Sequence, residues 1–234
     1  FGTNRHKLSG KADVESVITE AVKIAKKSGA KYVALDLGPT GQVLEPIGTL
    51  TFEEAYDLYA EQVVAGKNAG ADLVIIETMS DLLETKAAVL AVKENCDLPL
   101  FVTMTFSEDS RTFMGTSPEN MAITLSSLGV SALGVNCSLG PKELLGTVER
   151  ICKFSTVPVI VQPNAGLPKV IDGKTVFEVT PDEYKEAISK MIDMGVQVIG
   201  GCCGTTPDHI KAVKELTLTK EFVKREIAPV SAVT

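Results

Sequence analysis

Val196-Gln197-Val198-Ile199-Gly200-Gly201-Cys202-Cys203-Gly204-Thr205-Thr206-Pro207-Asp208 is the stretch from which the fold is read. It begins as a short apolar run and breaks on glycines. It closes on a helix start, with a hydroxyl cap at Thr206, proline at the first helical position and an acid at the positive helix end. A strand that feeds straight into a helix in this way is the repeating unit of a parallel α/β sheet.

The same unit recurs upstream. Apolar runs at Tyr32–Leu37, Leu73–Glu77, Leu100–Phe106, Ala132–Cys137, Val159–Gln162 and Val196–Ile199 are rich in Val, Ile and Leu and do not alternate with polar residues. Strands buried on both faces read this way. Helical patterns fill 13–28, 53–69, 80–94, 118–128, 141–153, 181–194 and 207–216. Thr180-Pro181-Asp182-Glu183 and Thr51-Phe52-Glu53-Glu54 have the form of capping boxes, and Ser117-Pro118-Glu119 that of a capped start. Gly29, Gly70, Gly129 and Gly195 follow helices as candidate C′ residues with positive φ.

Helix-to-strand joins are short, whereas the strand-to-helix joins at 38–51, 107–117 and 165–180 are long. Long loops confined to one end of a βα array put function at the C-terminal ends of the strands. The alternation suits a (β/α)8 TIM barrel, whose usual size is ~250 residues, or an open doubly wound sheet. The repeat runs without a dinucleotide fingerprint, which favours the barrel. Because the chain opens close to a helix, the reading places its start just after the second barrel strand. The barrel is assigned to residues 1–218 and a C-terminal linker to 219–234.

Composition narrows the function. The chain has 234 residues, 44% of them hydrophobic and 23% charged, which excludes a disordered protein. A net charge of −7 argues against nucleic acid or an anionic membrane surface as the main partner. No apolar run reaches the ~18 residues of a membrane span, and no signal-peptide pattern opens the chain. Five irregularly spaced cysteines do not make a secreted disulfide scaffold, so a reducing cytoplasmic setting is expected.

Three of those cysteines sit at strand ends. Cys137 ends one strand, and Cys202 and Cys203 end the last, sixty-five residues later. A closed barrel brings such ends to one mouth. Three thiolates suit Zn²⁺, which accepts soft sulfur in tetrahedral geometry and keeps a fourth position open. Neighbouring residues on a regular strand point to opposite faces, so the backbone must leave the pleat at Cys202-Cys203, as the flanking glycines permit. Cys96 and Cys152 fall near helix ends at the opposite rim and read as packing residues.

Glu77, the last residue of an apolar run, calls for a cationic partner such as a bound ammonium group. Asn136 and Asn164 read equally as ligand-binding groups or turn caps. Thr103 and Thr105 read as β-branched packing. His6 and His209 are the only histidines, with His209 expected on the solvated face of the last helix. No histidine-based acid–base pair is evident, which favours a reaction with little proton transfer over a hydrolysis.

Gly134-Val135-Asn136-Cys137-Ser138, Gln162-Pro163-Asn164-Ala165-Gly166-Leu167-Pro168 and Gly200-Gly201-Cys202-Cys203-Gly204-Thr205-Thr206-Pro207 resemble the homocysteine S-methyltransferase family. Within it, Gly38-Pro39-Thr40-Gly41 resembles the branch formed by the homocysteine-binding module of cobalamin-dependent methionine synthase. Phe1–Arg5 resembles the family segment just after the second strand, and Glu226–Ser231 the linker to a pterin-binding module. The resemblance implies that Cys137, Cys202 and Cys203 hold zinc and act in catalysis. It implies that homocysteine binds through its thiol, with Glu77 on its amino group and Asn164 beside the metal. It further implies methylcobalamin on another module as methyl donor, with pterin-binding and cobalamin-binding modules as partners. The family's other substrate contacts, an Asp-Gly pair and a Thr, lie on its first two strands.

Rival readings stand beside this one. Free-standing relatives would take the methyl from S-methylmethionine, S-adenosylmethionine or betaine. Gly200, Gly201 and Gly204 before a helix start also suit a phosphate-binding barrel. A zinc-binding scaffold without catalysis is the third.

Overall fold

The computed structural model describes residues 1–221 and 223–227. The chain divides into two compact units, Phe1–Val102 and Thr103 onward.

In the first unit, α1 (Arg5–Leu8) and α2 (Val14–Lys27) precede β1 (Ala34–Leu37), α3 (Phe52–Asn68), β2 (Leu73–Met79) and α4 (Leu82–Asn95). β3 (Leu100–Met104) begins there and carries the chain across the division. β1 and β2 pair in parallel, with Ala34 opposite Leu73 and Leu37 opposite Ile76. Each helix starts where a polar side chain can take an orphan amide. Asp13 accepts from the Ser16 amide at 2.8 Å, Asp81 from the Leu83 amide at 2.8 Å, and Thr51 and Glu54 cap one another's backbone. Leu44, Leu50, Ala55, Leu58 and Ala87 form a buried cluster that joins the long loop after β1 to α3 and α4. Beside it the buried Glu84 carboxylate accepts from the Tyr59 hydroxyl at 2.9 Å and the Thr40 amide at 2.6 Å. Those two donors offset the desolvation of the acid and tie the loop down.

The second unit continues with α5 (Pro118–Ser127), β4 (Ala132–Asn136), α6 (Leu145–Phe154) and β5 (Val159–Gln162). β6 (Lys169–Ile171), β7 (Lys174–Val176), α7 (Pro181–Asp193), β8 (Val198–Ile199) and α8 (Pro207–Thr219) follow. β4, β5 and β8 pair in parallel, with Asn136 opposite Gln162 and Val161 opposite Ile199. Every residue of β4 is buried, as a strand covered on both faces requires. α5 packs on α6, α6 on α7 and α7 on α8. After α8, Arg225 donates to the Cys152 and Ser155 carbonyls at the end of α6, at 3.1 and 2.9 Å. A cation at a helix C-terminus meets the negative end of the peptide dipoles.

The six apolar runs are all strands and the seven helical patterns are all helices. Gly29, Gly70, Gly129 and Gly195 have φ of 78, 87, 69 and 97°, as C′ residues should. Four readings need correction. The helix expected from 141 begins at Leu145, because the preceding residues form turns and its N-cap, Leu144, offers no side-chain acceptor. The 165–180 loop contains the β6–β7 hairpin, turned by Asp172 and Gly173, both at positive φ. The strand holding Glu77 continues to Met79. The last strand stops at Ile199, so Cys202 and Cys203 lie past it rather than in it. Of the linker assigned to 219–234, residues 222 and 228–234 lie outside the described residues. Among the described residues no helix is long and apolar enough to cross a membrane.

Candidate metal centre

Cys137, Cys202 and Cys203 come together in the second unit. Their sulfurs all lie within 4.8 Å of one another, and the Cys137 and Cys203 sulfurs are 3.8 Å apart. Two ligands of a tetrahedral zinc at ~2.3 Å each stand ~3.8 Å apart, so the spacing fits that ion. All three cysteines are free thiols. Among the described residues this is the one cluster of three potential ligands drawn from His, Cys, Asp and Glu.

Each cysteine is presented by backbone that has left its strand. Cys137 and Ser138 follow β4 with φ of 59 and 53°, a left-handed pair without a glycine. L-residues enter that region at a cost of ~1–2 kcal/mol each. Local bonds hold the turn: Cys137 N–H to the Gln162 carbonyl at 3.0 Å, Leu139 N–H to the Cys137 carbonyl at 2.7 Å, and the Ser138 hydroxyl to the Phe106 carbonyl at 3.0 Å. Beyond β8, Cys202 N–H bonds the Pro163 carbonyl at 2.9 Å and the Thr205 hydroxyl bonds the Cys202 carbonyl at 2.7 Å. Gly204 closes that turn at φ 77°, where a Cβ would stand 2.2 Å from the Phe177 ring. Side-chain packing thus accounts for this glycine without a phosphate.

Behind the turn, the buried Tyr184 hydroxyl lies 3.1 Å from the Pro163 carbonyl and 2.9 Å from the Gly200 carbonyl, bracing the Cys202–Cys203 turn against the loop after β5. His209 packs edge-on against the Tyr184 ring, with centroids 5.5 Å apart. It is 6% exposed, not solvated as its helix position suggested. Its Nε2 faces the Val179 carbonyl at 2.9 Å, so that nitrogen carries the proton, and Nδ1 accepts from the Thr206 amide at 3.2 Å. The histidine caps α8.

The two asparagines serve the sulfurs. The Asn136 amide nitrogen donates to the Cys202 sulfur at 3.9 Å. The Asn164 carbonyl oxygen accepts from the Cys203 amide at 3.0 Å, and its side chain also bonds Cys137. Donation from Cys202 is the largest influence lowering the Cys137 thiol, to about 5, with smaller help from Cys203 and Asn164. The same contact raises Cys202, which supplies the proton. Burial is the main cause raising Cys203. Charge on the Cys137 sulfur opposes ionisation of the other two. A divalent cation among them would let all three ionise.

Glu77 belongs to the first unit, half-buried within β2, and Thr78 after it has φ 63°. Thr103, read from sequence as packing, is fully buried and donates to Asn136 at 2.7 Å. Cys96 and Cys152 are buried at helix ends, as expected.

The profile of the family described as Homocysteine S-methyltransferase matches residues 1–217. Methionine synthase from Mycobacterium leprae is 35% identical over 78% of the chain, and that from Mycobacterium tuberculosis 31% identical over 85%. The chain spans only 16% and 17% of the length of those two relatives. Among solved structures, the metallated form of the homocysteine methyltransferase MmuM from Escherichia coli superposes with a TM-score of 0.76. It is 21% identical, over 92% of this chain and 76% of that one. The apo form of the same protein gives a TM-score of 0.70 at 23% identity, over 86% and 72%. The fold class is therefore the α/β TIM barrel of that enzyme.

Proposed function

The chain belongs to the homocysteine S-methyltransferase family, and from that premise we propose that it methylates the thiol of homocysteine, giving methionine, at a zinc ion held by Cys137, Cys202 and Cys203. The convergence of three sulfurs within 4.8 Å carries this reading. A relative of the same fold has been solved in a metallated form, which supports a metal here. Zinc, when bound, would supply Lewis acidity, so that a coordinating substrate thiol, of free pKa ~8.5, would lose its proton to solvent and be present as a thiolate at neutral pH.

The chain's own residues do the rest. Cys137, Cys202 and Cys203 would hold the ion and leave the substrate sulfur to complete its ligand set. Asn136 and Asn164 hold the ligand sulfurs in place through their amides. Glu77 takes the substrate ammonium group. The sulfur lone pair forms the new S–CH3 bond as the donor–CH3 bond breaks, and that bond's electron pair leaves with the donor. No further proton has to move, consistent with a centre whose buried histidine is committed to a helix cap. Orientation within the site supplies much of the acceleration.

For the donor we infer methylcobalamin on another module, with a pterin-binding module also in the same polypeptide and a cytoplasmic setting. The relatives that carry the name methionine synthase are about five times as long as this chain, which leaves room for such modules. The test supplies the full chain with zinc, homocysteine and one donor at a time. Methionine is expected from methylcobalamin. Methionine only from S-methylmethionine, S-adenosylmethionine or betaine would reassign the donor, and none from any donor would overturn the activity. In the same assay Glu77→Gln should raise KM for homocysteine about tenfold or more while kcat changes little, as loss of a charged hydrogen bond formed equally in ground and transition states requires.

A further inference from the structure

We propose that Thr103 is a positioning residue for the metal centre: its hydroxyl orients the Asn136 amide so that the amide nitrogen faces the Cys202 sulfur. The inference rests on the metal reading above and goes beyond it to a residue on β3 that touches neither metal nor substrate.

Three observations converge. Thr103 and Asn136 are each fully buried, so their polar atoms must find partners inside the protein. The Thr103 hydroxyl donates to the Asn136 carbonyl oxygen at 2.7 Å. The Asn136 nitrogen then faces the Cys202 sulfur at 3.9 Å. A carboxamide has one accepting and one donating end, so fixing the oxygen toward Thr103 fixes the N–H toward sulfur. The reversed amide would put its oxygen against the sulfur, which a metal-bound thiolate repels.

The arrangement also joins the two sources of sulfur. Asn136 is the last residue of β4, covalently next to Cys137, and its side chain reaches Cys202 beyond β8. One residue therefore ties the separation of Cys137 and Cys202 to the position of a single amide. Valine would fill the Thr103 site with nearly the same volume and suits a strand equally well. The hydroxyl is what valine could not supply. Outer partners of metal ligands act in this way, orienting the ligand and tuning its electron density, and their loss commonly costs ~10–100-fold in metal affinity.

The test uses metal binding rather than turnover. Zinc affinity of the full chain is measured by competition with a chromophoric chelator. The sulfur-to-metal charge-transfer band is recorded after loading with Co²⁺. Thr103→Val should bind zinc about tenfold or more weakly and move the band to longer wavelength, since a sulfur that has lost a hydrogen bond is more electron-rich. Thr103→Ser keeps the hydroxyl and should stay within about twofold of wild type. Far-UV circular dichroism checks that the variants fold. Should valine unfold the protein, Thr103→Ala removes the hydroxyl without the branched side chain and replaces it in the comparison. Wild-type affinity and an unchanged band in the hydroxyl-free variant would overturn the role of Thr103 alone. A wild-type chain that retains no metal would overturn the centre itself, and this role with it.

Discussion

Alanine in place of Cys202 abolishes stoichiometric metal binding and lowers homocysteine methylation by more than about 100-fold, the upper range for loss of a mere outer partner of a ligand. The sulfur removed is one of three within 4.8 Å, and the two that remain cannot fill a tetrahedral zinc site. The fold should survive. The Cys202 backbone amide, not its side chain, makes the bond to Pro163, and its carbonyl makes those to Thr205. Circular dichroism and thermal melting of the variant should therefore resemble wild type while bound zinc, measured by atomic absorption, falls away. Retained metal and turnover in folded Cys202→Ala would remove the cluster from the chemistry.

The second large effect concerns the sheet that carries the cluster. Gly134→Ala should destabilise the chain by about 3 kcal/mol, the upper part of the range for overpacking, and lower Tm by roughly 6–12 °C. Gly134 lies in β4 opposite Ile160 of β5, and an added Cβ would stand 1.8 Å from the Ile160 carbonyl oxygen. That atom is backbone within a parallel ladder, so it cannot swing aside as a side-chain tip would. Relief requires β4 and β5 to separate, and these are the strands that end in Asn136 and Gln162, next to the sulfur-bearing turns. Differential scanning calorimetry measures the loss. An unchanged Tm would mean that the strands are not held as close as this register requires.

Periodicity and caps made most of the fold legible. Strands covered on both faces leave uninterrupted Val, Ile and Leu runs, and Thr-Pro-Asp-Glu starts carry their own hydrogen-bond chemistry, so Thr180 and Glu183 cap α7 as their spacing predicts. The hairpin after β5 escaped because its strands are only three residues each and largely exposed, too short for alternation to register. Asp172-Gly173, between Val170-Ile171 and Lys174-Thr175-Val176, was the available signal. His209 illustrates a different limit. Its place in the first turn of α8 says nothing of what packs on that turn, and Tyr184 and the Val179 carbonyl, distant in sequence, bury it.

The cysteines were legible because chemistry and topology agreed: sulfur at strand ends, with glycines where the backbone must leave the pleat. Asn136 and Asn164 were visible as polar residues beside those ends, but whether their amides meet a ligand or the cysteines is settled by side-chain direction, which spacing does not encode. Thr103 was invisible for a related reason. A buried β-branched residue in a strand needs no explanation until its hydroxyl is seen to have a buried partner.

Zinc K-edge X-ray absorption of the metal-loaded full chain reads the sulfur count around the ion. Three sulfur scatterers at about 2.3 Å with one lighter atom are expected, becoming four sulfurs when homocysteine is added. Fewer than three sulfurs, or a shell that homocysteine leaves unchanged, would contradict the three-cysteine centre.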